Sequence, residues 1–404
     1  MRHIVVMVTT SYPRFPGDGV GSFMEPIAKG VAARGHEVHL VAPWHPSITR
    51  GKSEDGVHFH FFRYAPVPSL NFFGYAESLR ADTRLRGAIW AIAPLAFAAG
   101  AFKALRVAQK RRATVVHAHW VIPGGVIALP AAIGRPLVVS LHGSDVFIAE
   151  RNAMAGRAAR AVFGRTQWVT ACSDDLRQRA LSIGADAARS ETVPYGVDTG
   201  RFAPDAAVRE EVRRAFDLGD DPVIFGAGRL VRKKGFEFLI DAVRALGARF
   251  PTVRLVIAGD GDLRDELAAR SADLGPRVRL VGNQSQDVIA RLAAAADVVA
   301  VPSVHDEAGN VDGLPNLALE ALATATPVVA TNVGGLPDVI DDGVTGRIVP
   351  ERDAVALAGA LGDMLDGRDA ARAMGLAARA KVARDFGWAR VAERFETAYD
   401  RARR

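Results

Sequence analysis

DVVAVPSVHDEAGNVDGLPNLALEALATATPVVATNVGG, residues 297–335, reads as one strand–helix–strand unit. Its ends, DVVAVPS (297–303) and PVVAT (327–331), are continuous apolar runs of the kind buried on both faces of a parallel sheet. Between them Pro315 suits the first turn of a helix, where its missing N–H costs nothing. The rhythm continues outward in VIFGAG (223–228), RLVIAG (254–259), RVRLVG (277–282) and GRIV (346–349). The first half repeats it, with strand candidates at 4–10, 37–42, 57–63, 114–118, 136–141, 168–171 and 191–193. Helices separate them: 21–34 is closed by Gly35, and Ser173 is placed to cap 174–183 before Gly184 ends it. The expected fold class is therefore α/β, with two doubly wound parallel domains. Residues 1–200 form the first and 201–385 the second, joined through the polar segment 200–221. The charged last helix, 386–404, is a candidate to pack back on the N-terminal domain.

The chain has 404 residues, 49% hydrophobic and 24% charged, too apolar to be disordered. One cysteine, Cys172, excludes a disulfide scaffold and fits a reducing compartment. The first six or so apolar residues are too few for a secretory signal. Residues 87–102, GAIWAIAPLAFAAGAF, fall short of a membrane span and read as a buried or cleft-lining helix, with an interfacial helix as the alternative. Charge is uneven: residues 1–200 carry +9 and 201–404 carry −3, for a net +6. Arg80, Arg84, Arg86, Lys103, Arg106, Lys110, Arg111 and Arg112 flank the apolar stretch. Region 71–112 is thus either a solvated basic face or a contact with an anionic membrane surface. Nucleic acid is not an expected partner, because aromatic residues do not interleave with these charges.

Open parallel sheets bind ligands at the carboxyl ends of their strands, so the chemistry is sought in the loops there. Amides of Gly313, Leu314 and Asn316 at a helix start suit a phosphate. Glu320 lies about one and a half turns further on, leaning back toward that start, within reach of a sugar hydroxyl. GRLVRKKG (228–235) follows a strand with cations suited to a diphosphate, Arg by its fork and Lys as a point charge. HAHW (117–120) ends another strand and puts His119 and Trp120 on an acceptor wall.

These segments resemble glycosyltransferase family 4, retaining enzymes of the GT-B fold, over nearly the whole chain. The resemblance implies two Rossmann-like domains facing across a cleft. Residues 312–320 look like the family's Glu-x7-Glu signature, with Asp312 in place of the first glutamate and Glu320 as the second, the one that binds the donor ribose. Asp312 then lies near the donor sugar and phosphate, with Gly313, Leu314 and Asn316 as the contacting loop. By the same resemblance Arg229 and Lys234 hold the donor diphosphate. PGDGVGSF (16–23) is similar to a glycine loop that covers the diphosphate from the other domain; Gly19 and Gly21 match, and Asp18 replaces a glycine. SLHGSDVF (140–147) resembles a His-Gly motif that puts His142 at the catalytic centre, with Asp145 as a second catalytic or loop-orienting residue. VPYGVDTGRF (193–202) looks like an interdomain segment, with Tyr195 in place of an asparagine.

The activity so implied is transfer of a sugar, with retention, from a UDP-sugar or GDP-mannose to the hydroxyl of a glycan or lipid-linked acceptor, in polysaccharide or glycolipid synthesis. No metal or other cofactor is expected, and the location implied is cytoplasmic, peripheral at the inner face of the membrane. Three rivals are weaker. A dinucleotide oxidoreductase would need a third glycine where Val231 stands in GAGRLV. A metal-dependent hydrolase could use His117, His119, His142 and Asp145 but leaves the basic loop of the second half idle. A catalytically inactive nucleotide-sugar-binding protein would share every motif.

Overall fold

The computed structural model describes residues 1–75, 79–81, 84–85 and 89–404, excluding the side chains of 79–81, 84–85, 89–91 and 206. Arg86 and Gly87, and the side chains of Arg80 and Arg84, lie outside the described residues. The chain forms two compact units, one of Met1–Val193 with Trp388–Arg404 and the other of Pro194–Gly387.

The first unit is built on an eight-stranded sheet. Its order from one edge is Ser190–Thr192, Trp168–Ala171, Leu137–Leu141, Val115–His119, Ile4–Val8, Glu37–Pro43, Val57–Phe62 and Ser53–Glu54. Every pairing is parallel except the last, a two-residue edge strand. The chain moves outward from Ile4–Val8 on one side, then returns and moves outward on the other. Strand order therefore reverses between Ile4–Val8 and Val115–His119, where Val8 pairs with Ala118. One sheet face is covered by helices Met24–Ala33 and Trp388–Ala402, whose Val31, Val391, Phe395 and Tyr399 pack with Val5, Met7, Val38 and Leu40.

On the opposite face lies helix Ile89–Lys110, which contains Pro94. It buries Ala96, Gly100, Ala104 and Ala108, a four-residue repeat of small side chains. That repeat permits close approach: a Cβ on Gly100 would stand 2.9 Å from Phe62 and 3.0 Å from Ile127. Its other side is open, with Leu95 58% and Phe102 65% exposed. The helix expected to be buried is buried on one face only. Among the described residues no helix is long and apolar enough to cross a membrane.

The second unit holds a six-stranded parallel sheet in the order Val278–Leu280, Arg254–Ala258, Val223–Ala227, Val298–Val301, Val328–Thr331 and Arg347–Val349. Its order reverses between Val223–Ala227 and Val298–Val301, where Ile224 pairs with Val298. Helices Phe236–Leu246 and Ala354–Asp366 close one face, packing Leu239, Val243, Leu357 and Leu361 with Ile224, Leu255, Val298 and Val329 of the sheet. The segment 200–221, expected to be a linker, contains helix Ala206–Ala215 within this unit. Asp205 supplies the N-cap, accepting from Ala207 and Val208, a local signal stronger than the segment's overall polarity.

Candidate active site

The reversal point of the second sheet carries a charged cluster. Val223–Ala227 runs into Gly228 and solvent-exposed Arg229, then into the 3-10 turn Arg232–Lys234. That turn splits its cations. Arg232 turns outward to Glu266 at 2.6 Å. Lys233 and Lys234 converge on Asp312, with Nζ 3.0 Å from Oδ1 and 2.5 Å from Oδ2. Burial alone would raise the Asp312 carboxyl, but the two ammoniums outweigh it and hold it well below the ordinary carboxylate range. Lys233 had not been singled out in the sequence; the Lys-Lys doublet was the signal, but it does not say which cation faces inward.

Asp312 is placed by the loop ahead of helix Asn316–Ala323, for which Pro315 is the N-cap rather than a member of the first turn. The loop is braced from behind, since Gly335 N donates to Gly313 O at 2.7 Å. Gly334, at φ +54°, lies so close that a Cβ there would stand 2.2 Å from Asp312 O. From Leu317 to Ala323 every residue of the helix is buried. Glu320 is one of them, only 9% exposed, and its carboxylate has no hydrogen-bond or ion-pair partner among the described residues. Burial raises its carboxyl to about 7, against the opposing pull of Lys234 and Arg201. An unpartnered buried carboxylate is costly in a folded chain, so its presence points to a ligand. Two lysines, a helix start and such an acceptor make a coherent site for a phosphorylated, hydroxyl-rich molecule.

In the first unit the loops after Ile4–Val8, Val115–His119 and Leu137–Leu141 meet at the other reversal point. Asp18, which stands in place of a glycine, closes the first of them. It accepts from Arg14 N at 3.0 Å, Arg14 Nε at 2.7 Å and Val20 N at 3.1 Å. Gly21 takes φ +66°, and a Cβ there would stand 2.7 Å from Ser11 Oγ; Gly19 has open space around it.

His142 lies among three rings, with centroid separations of 4.8 Å to Phe23, 4.7 Å to Trp120 and 5.3 Å to His119. Its Nε2 is 3.0 Å from Nδ1 of His119. Burial pushes His142 down to about 3, so its imidazole is neutral at physiological pH. Asp145 is buried and bonded to the backbone of two loops. Oδ2 accepts from Val121 N at 2.7 Å and Oδ1 from Gly143 N at 3.1 Å, tying two loops together. His119 departs from its expected place on an acceptor wall: it is fully buried, and only the half-buried Trp120 reaches the surface there.

His117 is buried too, with Nδ1 2.9 Å from Tyr399 Oη and Nε2 2.7 Å from Ser140 Oγ. Its nitrogens and the Asp145 oxygens thus already have partners, which removes the arrangement a metal-dependent hydrolase required. Among the described residues no group of three or more His, Cys, Asp or Glu is placed to hold a metal ion.

The chain is similar to known proteins in both sequence and fold. Residues 17–201 match the family model described as Glycosyltransferase Family 4, and residues 221–367 match the model of Glycosyl transferases group 1. The chain is 38% identical to the GDP-mannose-dependent alpha-(1-6)-phosphatidylinositol monomannoside mannosyltransferase of Mycolicibacterium smegmatis over 64% of this chain and 69% of that one. It is 34% identical to the D-inositol 3-phosphate glycosyltransferase of Actinosynnema mirum, covering 76% and 77% of the two chains. In fold it resembles the Anabaena protein HepE, solved with UDP, with a TM-score of 0.76 at 20% identity over 98% of each chain. Sequence and fold agree: the chain belongs to glycosyltransferase family 4, as a retaining GT-B enzyme that moves a sugar from a nucleotide sugar to an acceptor hydroxyl.

Proposed function

We propose that this enzyme transfers mannose from GDP-mannose to a lipid-linked glycan acceptor. The unpartnered Glu320 carboxylate beside Lys234 carries the donor half of the reading. In it, Glu320 accepts hydrogen bonds from the donor ribose, while Lys234 and Arg229 neutralise the diphosphate together with Lys233. Asp312 and the loop Gly313, Leu314 and Asn316 position the sugar and its phosphate, and Gly19 and Gly21 also serve the diphosphate. Stabilising charge on the departing diphosphate is the main catalytic task, and fixed ammonium groups with helix-start amides perform it. No metal is required in this scheme. His142 is the catalytic-centre histidine, in contact with the reacting sugar, and Trp120 contacts the acceptor.

GDP-mannose is preferred over a UDP-sugar because of the mycobacterial-type mannosyltransferase at 38% identity. A lipid-linked acceptor is supported by the net +9 of residues 1–200 and by the open apolar side of helix Ile89–Lys110, where Leu95 and Phe102 lie near Lys103 and Arg106 in sequence. That helix is the proposed contact with an anionic membrane, which would keep the enzyme peripheral at the cytoplasmic face.

The test is transfer from radiolabelled GDP-mannose and UDP-glucose to phosphatidylinositol monomannoside, each with and without EDTA. Mannosylated lipid from GDP-mannose alone, undiminished by EDTA, is expected. Transfer from UDP-glucose only would move the donor to the other nucleotide, and loss with EDTA would overturn the metal-independent scheme.

A further inference from the structure

The pairing of buried His119 with half-buried His142 at the first unit's reversal point has no part in the reading above. His119 Nδ1 and His142 Nε2 are 3.0 Å apart, with rings 13° from parallel. His119 is fully buried, so it reaches no substrate. It is held tightly: Val115–His119 is a central strand, the His117 ring lies 4.1 Å away, and a Cβ on Gly124 would stand 2.0 Å from His119 O.

The proton count in this pair is restricted. Burial keeps both imidazoles neutral, so each carries one N–H and one of the two supplies the proton between them. His119 Nε2 is buried without a hydrogen-bond partner. If His142 donated, His119 would carry its proton on Nε2, leaving an orphaned buried N–H. If His119 donates from Nδ1, Nε2 is left as a bare acceptor, the less costly of the two defects. The second arrangement puts the His142 proton on Nδ1.

We propose that His119 is a positioning residue for His142: its Nδ1–H donates to Nε2 of His142 and so sets both the ring orientation and the Nδ1–H tautomer of that histidine. His119 thus leaves the acceptor side and becomes the support on which His142 rests. The catalytic consequence depends on the role of His142 given under Proposed function; the tautomer itself does not. His117 has no such effect, since Tyr399 and Ser140 occupy its nitrogens.

The experiment compares wild type with His119→Asn and His119→Leu, using full-length protein labelled with ¹⁵N at its ten histidines. Asparagine keeps an amide N–H near the position of Nδ1, whereas leucine fills the space without a donor. Two-bond ¹H–¹⁵N correlations report the His142 tautomer, assigned by a His142→Gln control, and steady-state assays report kcat and donor KM. His142 should be Nδ1-protonated in wild type and in His119→Asn, and should lose that tautomer in His119→Leu. His119→Asn should keep kcat within about threefold, while His119→Leu should lose on the order of 30- to 100-fold in kcat with donor KM nearly unchanged, the scale of a misplaced reacting group.

An Nε2-protonated His142 in wild type, or an unchanged tautomer in His119→Leu, would overturn the proposal. A changed tautomer with unchanged kcat would uphold it and count instead against the catalytic role of His142. If His119→Leu does not fold, His119→Asn decides: the wild-type tautomer supports the proposal and a switched one overturns it.

Discussion

Asp312 Oδ2 lies 2.5 Å from Lys234 Nζ, with Lys233 Nζ 3.0 Å from the other carboxylate oxygen. The two cations proposed to receive a diphosphate are therefore held in place by an anion of the protein, and a donor phosphate must compete with it or join it. Arg232, adjacent in sequence, takes no part because Glu266 and Glu237 draw it away.

This split predicts unequal effects within one basic run. Lys234→Ala should lower kcat/KM on the order of 100-fold, the usual cost of losing a group that stabilises transition-state charge. Lys233→Ala should lower it less, since Lys234 retains Asp312. Arg232→Ala should stay within about twofold, as expected for an exposed ion pair. Steady-state kinetics on the three variants checks the order; equal losses would mean that the run acts as an undivided patch.

A pH dependence follows from Glu320. Burial raises its folded-state carboxyl from 4.5 to about 7, so ionisation is disfavoured in the protein. Accepting two ribose hydroxyls requires the carboxylate, so nucleotide-sugar affinity should rise by up to about tenfold per pH unit below 7 and level off above it. The nucleotide sugar is the right probe, because its diphosphate diester keeps its charge across this range. Calorimetry at pH 6, 7 and 8 should show this rise, and Glu320→Gln should flatten it. Stability has the opposite sign: a raised folded pKa means stability falls as pH climbs from 4.5 through 7. Glu320→Gln should therefore raise the melting temperature at pH 8 relative to wild type.

Much of this could be read in the residues. The apolar strand runs are legible because β-branched residues in short blocks, bounded by Gly and Pro, fit little else, and each of the proposed runs contains a strand. Strands Ser53–Glu54, Leu79–Ala81 and Arg84–Leu85 escaped notice because two or three residues carry no period. Glu320 was legible from its place after a helix start, and Asp312 only through the resemblance to the family signature. What stayed hidden depended on partners far away in the chain. His119 is buried and paired with His142 from the loop after another strand, His117 is held by Tyr399 of the last helix, and Asp18 is bonded to Arg14.

Gly334 offers a test of the loop behind Asp312. Alanine there must adopt φ +54° and place Cβ 2.2 Å from Asp312 O, so the loop has to shift. Gly334→Ala should cost about 1–3 kcal/mol in denaturant unfolding and weaken donor binding together with it. A loss of stability with unaltered donor affinity would show that the loop's position is not what sets the site.

The open side of helix Ile89–Lys110 predicts vesicle binding. Phe102→Ser with Arg106→Ala should reduce co-sedimentation with vesicles rich in phosphatidylglycerol at least several-fold, without a change in melting temperature, because both side chains are exposed. Co-sedimentation equal to wild type would return this face to ordinary solvated surface.

The assignment of the donor to the second unit is tested most directly by titration calorimetry of GDP-mannose and UDP-glucose into wild type, Glu320→Ala and Lys234→Ala. Binding of GDP-mannose to wild type is expected, with at least tenfold weaker binding to each variant. Wild-type affinity in both variants, or no heat from either donor with the unaltered protein, would contradict it.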